Sequence, residues 1–552
     1  MTTDRVEIEQ ALTDDSKRAL DAFGASHRGV EALAELRAYL KEAFDVDLIL
    51  DPSIIEGFKE DSSHLPADAQ GVCRPRNEHE CAVLMRACFV CGIPMTLSGG
   101  RSNLTGSATP EGGVIISTAR MVAPAVMVDV EGRKVTAPVG MILEELRKAV
   151  ITQSAGRLCF PVDPTSRGDA SVGGALACNT SGFTPGETGA IRAWVRRLRL
   201  VLPDGGIIEA TRGQYVSQDG LFILDDGKTE RPWPVPRYPR PEIKNAGGPF
   251  SSPDGSVDLV DLVIGAEGLF GLVTNCELAL APRPDAYMDI FFSLPTEGDA
   301  LKVLDHVNRH YRGDLSGLSA FEYFGVNCRG TMDHETRFFH GDDTVAIYVQ
   351  QPLHGQEPED AAMEWLELLM ESGCELDEDA ILLLDSDSLR ALFLEARHSL
   401  PANALEVVQR RGTYTIMTDT VVPPERFGEF LKFTHGLLNE QGVDYVAFGH
   451  LGDCHLHFTV LPRKEQLEIG VAAYDAIIAK SAELGGVYSG EHGTGKRKRK
   501  DFLRCHGPDA VAQVKACKRA VDPEWLLNRG NVVEWRTGAA TESPQGRESD
   551  KL

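Results

Sequence analysis

The sequence lacks a long apolar run. No window approaches about 18 uncharged apolar residues, so we expect no membrane-spanning helix. The N-terminal stretch, MTTDRVEIEQALTDDSKRAL, is acidic and polar. Because it contains no apolar segment of the kind that a signal peptide requires, we expect no such peptide.

Positive charge is scarce as well. The chain has 56 Lys and Arg against 82 Asp and Glu, which gives a formal net charge of −26. A protein that binds nucleic acid needs basic surface to neutralise phosphates. We therefore expect no nucleic-acid partner.

The cysteines lack a pattern. The 12 cysteines are scattered without the spacing of a disulfide framework, and no CxxCxxCxxxCP run is present to hold an iron–sulfur cluster. Reduced thiols are usual in the cytoplasm. We expect a cytoplasmic protein, and the sequence leaves open whether it associates peripherally with a membrane.

The chain does have length and a mixed periodicity. Its 552 residues exceed what one hydrophobic core usually holds, so two or more domains are expected. A helical pattern comes first, and short strands then alternate with helices, which predicts an α+β protein. The predicted parts are a helical segment over 1–52, a first domain over 53–285, a second domain over 286–462, a C-terminal helical segment over 463–535 and a disordered tail over 536–552.

A glycine-rich loop follows the predicted strand IPMTL and reads LSGGRSNLTG. Gly99 and Gly100 expose backbone N–H groups, while Ser98, Ser102 and Asn103 add short side-chain donors. This combination suits a phosphate, although a plain polar connection fits the same pattern. The loop is neither GxGxxG nor GxxxxGK[ST], so it does not indicate a nicotinamide Rossmann site or an ATPase P-loop.

Two further glycine-rich segments read DPTSRGDASVGGALACNTSG and GAEGLFGLVT. In this order the three segments resemble the FAD domain of the vanillyl-alcohol oxidase / p-cresol methylhydroxylase superfamily. That family writes them as PRGGGTGLSG, DPAS…TIGGNIATNAGG and GSEGTLGIIT. More narrowly, the chain resembles the D-2-hydroxy-acid dehydrogenases, a group that includes D-lactate dehydrogenase, the glycolate oxidase flavin subunit and D-2-hydroxyglutarate dehydrogenase. The resemblance covers about residues 55–533.

The resemblance implies a two-lobed FAD-binding domain of p-cresol methylhydroxylase type, joined to an α+β substrate (cap) domain with an antiparallel sheet. It also implies non-covalent FAD, because the phosphate loop has no His or Cys positioned for a flavin bond. The residues that it assigns to FAD are Ser98, Gly99, Gly100, Arg101, Ser102, Asn103, Pro164, Ser171, Gly173, Gly174, Asn179, Gly182, Glu267, Gly271, Val273 and Asn528.

The stretch FGHLGDCHLHF concentrates three histidines in one predicted hairpin. Alternation places His455 and His457 on one face of the second strand. His450 ends the first strand and is predicted to meet His457 across the hairpin. Two neutral imidazoles and one carboxylate form a divalent-metal site with open positions, and Glu491 in SGEHGTGK can supply the carboxylate. The alternative is a set of polar cross-strand pairs on a solvated face.

The resemblance extends to this hairpin and to the later motif, which the family writes as HxGDGNLH and SGEHGxG. It implies that His450, His457 and Glu491 hold one divalent metal, with Zn²⁺ favoured over Fe²⁺ or Mn²⁺, and that His492 is the catalytic acid/base. His455 stands where the family has an Asn that contacts substrate. His455 therefore either replaces that contact or joins the metal ligands.

A predicted helix carries LEARHSLP, which matches the family's W-x-x-R-E-x-x-P. The resemblance implies that Arg397 binds the substrate carboxylate, for which a guanidinium fork is well suited. A solvated helix arginine is the alternative. The family's next motif is Lys-x-Asp, whereas this chain has Met417 in place of the Lys and keeps Asp419. The loss of one cation favours a monocarboxylate substrate.

Two polar stretches are predicted to lie on the surface. One is the proline-rich segment over about 213–253, which includes RPWPVPRYPRPE. The other is KRKRK at 496–500, the one dense basic run, which we interpret as a solvated helix face that can attract anions.

Together these features predict an FAD- and metal-dependent dehydrogenase that oxidises a D-2-hydroxy acid, preferably one like D-lactate, to the 2-oxo acid. The electron acceptor is expected to be a protein or a quinone and not a nicotinamide. One alternative is a flavoenzyme without net oxidation, of the alkylglycerone-phosphate-synthase type. Another is a flavin subunit that works only within an electron-transfer complex. A homodimer is also compatible with the sequence.

Overall fold

The computed structural model describes residues 2–536, and the predicted disordered tail lies outside them from residue 537 on. The chain is an α+β protein, as predicted, with a first lobe built on two principal sheets and a second lobe built on one large antiparallel sheet. Within the described residues, no helix combines the length and the apolar character needed to cross a membrane.

The first lobe contains a four-stranded sheet, mostly parallel, and a six-stranded antiparallel sheet. A three-stranded and a two-stranded sheet lie beside them. In spatial order the strands are Leu48–Ile49, Gly71–Cys73, Val114–Ser117 and Met95–Ser98; Glu9–Gln10, Gly206–Thr211, Val195–Val201, Leu272–Ala279, Lys134–Pro138 and Met127–Asp129; Arg5–Glu7, Leu221–Asp225 and Glu230–Pro234; and Ala281–Pro282 with Leu158–Cys159.

Several helices of the first lobe have side-chain caps at their N-termini. The clearest case is Glu78–Cys91, in which the Asn77 side chain accepts from the backbone N–H of Glu80 at 2.9 Å, and Gly92 adopts the left-handed conformation that ends the helix. The helices are Asp14–Ser26, Leu33–Phe44, Pro52–Lys59, Glu78–Cys91, Leu143–Gln153, Val172–Cys178 and Leu259–Val263.

The second lobe is an eight-stranded antiparallel sheet with apolar residues on both faces. Trp365 packs into the core on one face and Phe393 into the core on the other. Its strands are Ile381–Leu383, Ala286–Leu294, Val345–Leu353, Ala320–Phe324, Tyr445–His450, His455–Val460 and Ile416–Met417, with Thr420–Val421 also paired to His455–Val460. The helices that follow strand Ala286–Leu294 along the chain are Glu297–His310, Glu335–Phe338, Pro358–Glu371, Asp387–Arg411, Phe427–Glu440, Leu467–Glu483 and Arg499–Val521.

The proline-rich segment is not a surface excursion, so that prediction is wrong. Two of its strands complete the three-stranded sheet, and Phe222 and Trp233 are fully buried in the core of the first lobe. Its later part is also covered, from Asn245 to Ser251. The prolines are compatible with this position because the strand Glu230–Pro234 is at the edge of its sheet, where a proline need not donate a ladder hydrogen bond.

Candidate active site

A cavity of about 610 Å³ lies between the two lobes, and its wall includes the glycine-rich loops, the hairpin and the Glu491–His492 pair. It brings together 15 of the 16 residues that the resemblance assigns to FAD. Those on its wall are Ser98, Gly99, Gly100, Arg101, Ser102, Asn103, Pro164, Ser171, Gly173, Gly174, Gly182, Glu267, Gly271, Val273 and Asn528.

The glycine-rich loop after Met95–Ser98 packs tightly against the segment that leads into helix Val172–Cys178. A Cβ at Gly100 would lie 2.0 Å from the carbonyl oxygen of Asp169, and the Gly100 N–H donates to the Ser171 hydroxyl at 3.2 Å. The Ser98 hydroxyl lies in the cavity wall, is buried, and has no hydrogen-bond partner within residues 2–536. A buried hydroxyl without a partner is costly, so a polar ligand such as the FAD pyrophosphate fits this loop.

Two of the residues assigned to FAD have other contacts. Asn179 is not among the described residues of the cavity wall; its side chain accepts from the Arg192 N–H at 3.2 Å and donates to the carbonyl of Asn245 at 3.3 Å. Glu267 does line the cavity, but its carboxylate accepts from the N–H groups of Thr494 and Gly495 at 2.6 to 3.0 Å. Glu267 therefore positions the loop that carries His492.

The hairpin strands are Tyr445–His450 and His455–Val460, and the turn between them closes directly after His450. The cross-strand partner of His450 is His455, and not His457 as the sequence predicted. The reason is the short turn, in which Cys454 adopts the left-handed conformation. On the other side His450 pairs with Glu322, so Glu322, His450 and His455 form one row across the sheet.

The hairpin histidines are buried and not solvated, which excludes the surface interpretation. His450 is 6%, His455 0% and His457 6% exposed. Glu322 is likewise buried, at 2%. The prediction missed this glutamate, although one charged residue inside the apolar strand AFEYF is a recognisable signal, because buried carboxylates are rare unless they are paired.

His450 and His457 both direct Nε2 at the carboxylate of Glu491, at 3.3 and 3.1 Å. Each is held through its other nitrogen: His450 Nδ1 lies 2.6 Å from Glu322 and His457 Nδ1 lies 3.3 Å from the carbonyl of Thr418. An oxygen acceptor on the remote nitrogen is the usual environment of a metal-binding histidine. These three side chains therefore fit a divalent ion.

The charges of this group are strongly coupled. Burial alone would lower the pKa of His450, but the carboxylates of Glu322 and Glu491 together outweigh burial and raise that pKa to about 9. Burial alone would raise the pKa of Glu491, but His450, His457 and Lys244 together outweigh burial and hold that pKa well below its usual range.

Asp419 is a fully buried carboxylate that organises the second half of the site. Burial alone would raise its pKa, but neighbouring groups, among them the Lys498 ammonium and the hydrogen bond from His455, together hold that pKa well below its usual range. Its oxygens accept five hydrogen bonds: from His455 Nε2 at 2.9 Å, Ser489 Oγ at 2.9 Å, Lys498 Nζ at 2.7 Å, and the backbone N–H groups of Glu491 at 3.2 Å and His492 at 3.1 Å.

The basic run KRKRK is therefore not a solvated helix face, and that prediction is wrong. Lys498 is 5% and Lys496 9% exposed. Lys496 Nζ donates to the carbonyl of Thr109 at 2.8 Å and to the Asn531 side chain at 2.9 Å, whereas Lys498 pairs with Asp419. The helix begins only at Arg499.

His492 lies on the cavity wall beside His457 and Glu491. Its Nδ1 is 3.4 Å from Asp419, its Nε2 is 3.6 Å from Glu491, and its ring stacks on that of His457. Burial lowers its pKa to about 4. A neutral imidazole whose Nδ1 faces a carboxylate has its free lone pair on Nε2, so His492 can accept a proton there.

Arg397 lines the cavity from helix Asp387–Arg411. One terminal nitrogen pairs with Glu322 at 2.5 Å, and the guanidinium lies 4.2 Å from the centre of the Phe183 ring. Met417 lies on the same cavity wall. Arg397 thus lies on the cavity wall with part of its charge balanced by Glu322.

Lys244 is a residue that the sequence interpretation missed. The proline-rich segment carries it to the back of the hairpin, where its side chain is 4% exposed. Its Nζ lies 3.2 Å from Asp453 and 3.8 Å from Glu491. Burial would lower its pKa, but those two carboxylates outweigh burial and raise it. Lys244 therefore adds a permanent positive charge behind Glu491.

Two protein-family models match the chain. The model described as "FAD binding domain" matches residues 69–211, and the model described as "FAD linked oxidases, C-terminal domain" matches residues 290–532. The two matches fall in both lobes and include most of the cavity wall, but the third glycine-rich segment, with Glu267 and Gly271, lies between them.

Proteins of similar sequence match this chain over most of its length. A D-lactate dehydrogenase of Anaerostipes hadrus is 26% identical over 516 residues, covering 87% of this chain and 97% of that protein. A D-2-hydroxyglutarate dehydrogenase of Xanthomonas citri is 26% identical over 484 residues, covering 86% and 91%.

Solved structures share the fold. The 4-ethylphenol oxidase from Gulosibacter chungangensis has a TM-score of 0.65 at 16% identity, covering 92% of this chain and 98% of that one. A p-cresol methylhydroxylase has a TM-score of 0.65 at 12% identity, covering 96% and 99%. The FAD-binding fold of p-cresol methylhydroxylase type is therefore confirmed.

Proposed function

Because the chain belongs to the FAD-linked oxidoreductases, with an FAD-binding domain followed by the C-terminal domain of the FAD-linked oxidases, we propose that it oxidises a D-2-hydroxy acid to the 2-oxo acid with the help of one divalent metal ion. The observation that carries the proposal is the position of His450, His457 and Glu491. They converge beside His492 on the wall of the cavity that the glycine-rich loops also line.

The two bound groups and the protein divide the work. FAD, when bound, supplies the two-electron acceptor, and a divalent ion supplies Lewis acidity. The loop from Ser98 to Asn103 and the segment from Ser171 to Gly182 would hold FAD without a covalent bond. His450, His457 and Glu491 would hold the metal, for which mixed imidazole and carboxylate ligands favour Zn²⁺ without excluding Fe²⁺ or Mn²⁺.

His492 serves as the base for the substrate hydroxyl. Asp419 fixes the ring by its position beside Nδ1, and this leaves Nε2 to accept the hydroxyl proton as the C–H bond of the substrate is broken. Lys498 and Ser489 hold Asp419 in turn. The buried network of Asp419, Lys498 and Ser489 thus fixes the orientation of the His492 ring.

Arg397 binds the substrate carboxylate, and the apolar Met417 on the wall of the same cavity gives no charge for a second carboxylate. The proposed substrates are therefore monocarboxylates such as D-lactate or a larger homologue. The proposal includes a non-nicotinamide electron acceptor, a protein or a quinone, and a cytoplasmic location. It also includes assembly as a homodimer or within an electron-transfer complex.

A substrate panel tests this proposal. The purified protein, reconstituted with FAD and Zn²⁺, is assayed with an artificial electron acceptor against D- and L-lactate, larger D-2-hydroxy monocarboxylates and D-2-hydroxyglutarate. We expect the highest kcat/KM for a D-2-hydroxy monocarboxylate. A higher kcat/KM for D-2-hydroxyglutarate would contradict the assigned substrate class, and no oxidation of any D-2-hydroxy acid would contradict the reaction.

A further inference from the structure

We propose that His455 is a third imidazole ligand of the divalent ion, so that this chain binds its metal with three histidines and Glu491. The inference rests on the metal dependence of the proposed function. It concerns a position at which this chain departs from the motif HxGDGNLH, where the asparagine of the motif is replaced by His455.

The sheet register places His455 inside the ligand group. His455 is the direct cross-strand partner of His450 and lies two residues before His457 on the same strand face. Its ring centre is 5.2 Å from that of His450 and 4.7 Å from that of His457. One ring nitrogen from each histidine and one oxygen of Glu491 all lie within 4.8 Å of one another.

The hydrogen bonds of His455 leave one nitrogen for a metal. Nε2 lies 2.9 Å from a carboxylate oxygen of Asp419, which can only accept, so Nε2 carries the hydrogen. Nδ1 then has the free lone pair. It is buried and has no hydrogen-bond partner within the part of the chain that the structure describes.

A buried lone pair without a partner costs free energy, and a metal ion would satisfy it. The arrangement of Asp419, His455 Nε2–H and a free Nδ1 is the same as that of other metal-binding histidines, in which a carboxylate fixes the ring from its far side. Glu322 plays the equivalent part for His450, through the opposite ring nitrogen. Two of the three histidines are therefore each held by a carboxylate through one ring nitrogen.

The surroundings of His455 do not favour direct contact with substrate. The described cavity wall includes His450, His457, Glu491 and His492, but His455 is not part of it. The loop around Gly490 covers the ring, since a Cβ at Gly490 would lie 2.7 Å from Cε1 and from Nε2 of His455. His455 is 0% exposed behind that loop, so its side chain can bind the metal but does not reach the substrate.

A second group of possible ligands shares two members with the first. Asp419, His457, Glu491 and His492 also have ligand atoms within 4.8 Å of one another. Asp419, however, already accepts five hydrogen bonds, one of them from the ammonium of Lys498. An ion there would have to displace those donors, so the first group is the better site.

Three imidazoles and a carboxylate are a richer nitrogen set than two imidazoles and a carboxylate. Nitrogen donors suit Zn²⁺ and Fe²⁺ better than Mg²⁺ or Mn²⁺. We therefore expect the protein to select Zn²⁺ over Mn²⁺ more strongly than a variant with Asn at position 455.

X-ray absorption spectroscopy of the Zn²⁺-loaded, FAD-bound protein tests the inference, because the outer-shell scattering of histidine counts the imidazoles. We expect three in the wild type, two in His455→Asn, and three in the control His398→Asn, which alters a cavity histidine outside the ligand group. A chelator competition should show Zn²⁺ affinity falling in His455→Asn by more than roughly tenfold, the lower bound for loss of an outer-shell partner.

The wild-type spectrum decides the matter even if His455→Asn fails to fold. Two imidazoles in the wild type, or no bound divalent ion, would overturn the inference. Three imidazoles without turnover of any D-2-hydroxy acid would uphold the ligand set and contradict the proposed reaction. Two imidazoles together with turnover of a D-2-hydroxy acid would contradict the ligand set and uphold the proposed reaction.

Discussion

Asp419 shows how much of the site depends on single residues. It is the aspartate of the family motif Lys-x-Asp, which this chain keeps although Met417 replaces the lysine. Its carboxylate binds the side chains of His455, Ser489 and Lys498. Paired buried carboxylates of this kind are costly to disrupt, because removing one member leaves the others as uncompensated charges. The direction of His492 is therefore set by contacts that do not touch the substrate.

Replacement of His492 by alanine removes the proposed base and leaves the metal ligands and the glycine-rich loops intact. We expect the rate of flavin reduction by substrate to fall by roughly 10²–10⁴-fold, the usual contribution of a positioned acid/base. The rate is measured by rapid anaerobic mixing. FAD content and metal content should stay at the wild-type level, and a loss of less than tenfold would show that the base lies elsewhere.

Replacement of Arg397 by lysine keeps the charge but removes the planar fork. A charge-assisted hydrogen bond contributes roughly 1.5–3 kcal/mol, so kcat/KM should fall by about tenfold to 150-fold. Steady-state assays with the best D-2-hydroxy acid measure the change. Arg390→Lys on the same helix is the matched control, because Arg390 pairs with Asp387 and does not line the described cavity. Equal effects of the two variants would contradict the role of Arg397.

At the scale of elements, the glycine-rich loop is shaped by its neighbour and not by its own sequence alone. The Gly100 Cα faces the carbonyl of Asp169, which leaves no room for a side chain. The loop must therefore stay where the following helix and Ser171 place it, with its backbone open toward the cavity.

Gly100→Ala should accordingly weaken FAD binding. Overpacking of this kind costs roughly 1–3 kcal/mol, which corresponds to an increase in the Kd of FAD of about fivefold to 150-fold. Titration of the apoprotein with FAD measures it. Gly168→Ala serves as the control, since a Cβ there would meet no atom within 4 Å. An unchanged Kd in Gly100→Ala would contradict the assigned place of the loop.

The sequence predicted the histidine hairpin over residues 445–460 and the face that its polar side chains share, because strand alternation alone decides which side chains lie on one face. It did not predict that His450 faces His455, because that depends on the conformation of Cys454 in the turn. Nor could it predict the burial of Lys498, whose partner Asp419 is 79 positions away in the chain. Local patterns carry no information about such distant charge pairs.

At the scale of the whole molecule, the two lobes are joined through charged groups as well as apolar surface. Glu267 of the first lobe holds the N–H groups of Thr494 and Gly495, and Lys496 reaches back to Thr109. The family motifs predicted that these segments meet, since the resemblance spans both lobes. The contribution of segment 213–253 was not predictable, because its proline content is typical of exposed loops.

Denaturation of the protein should release its FAD. The cavity wall offers backbone and side-chain donors, and no His or Cys lies in the Leu97–Gly106 loop to form a flavin bond. Precipitation with acid or heat should therefore leave the yellow colour in the supernatant, as absorbance shows. Flavin that stays with the precipitated protein would contradict non-covalent binding.

The central claim is that FAD and a metal at His450, His457 and Glu491 act together on a D-2-hydroxy acid. Its most direct test is anaerobic mixing of D-lactate or L-lactate with FAD-bound protein, once with Zn²⁺ restored and once after removal of the metal by a chelator. The account predicts loss of the flavin absorption band only with the D-enantiomer and only in the metal-loaded protein. Equal bleaching after metal removal, or equal bleaching by both enantiomers, would contradict it.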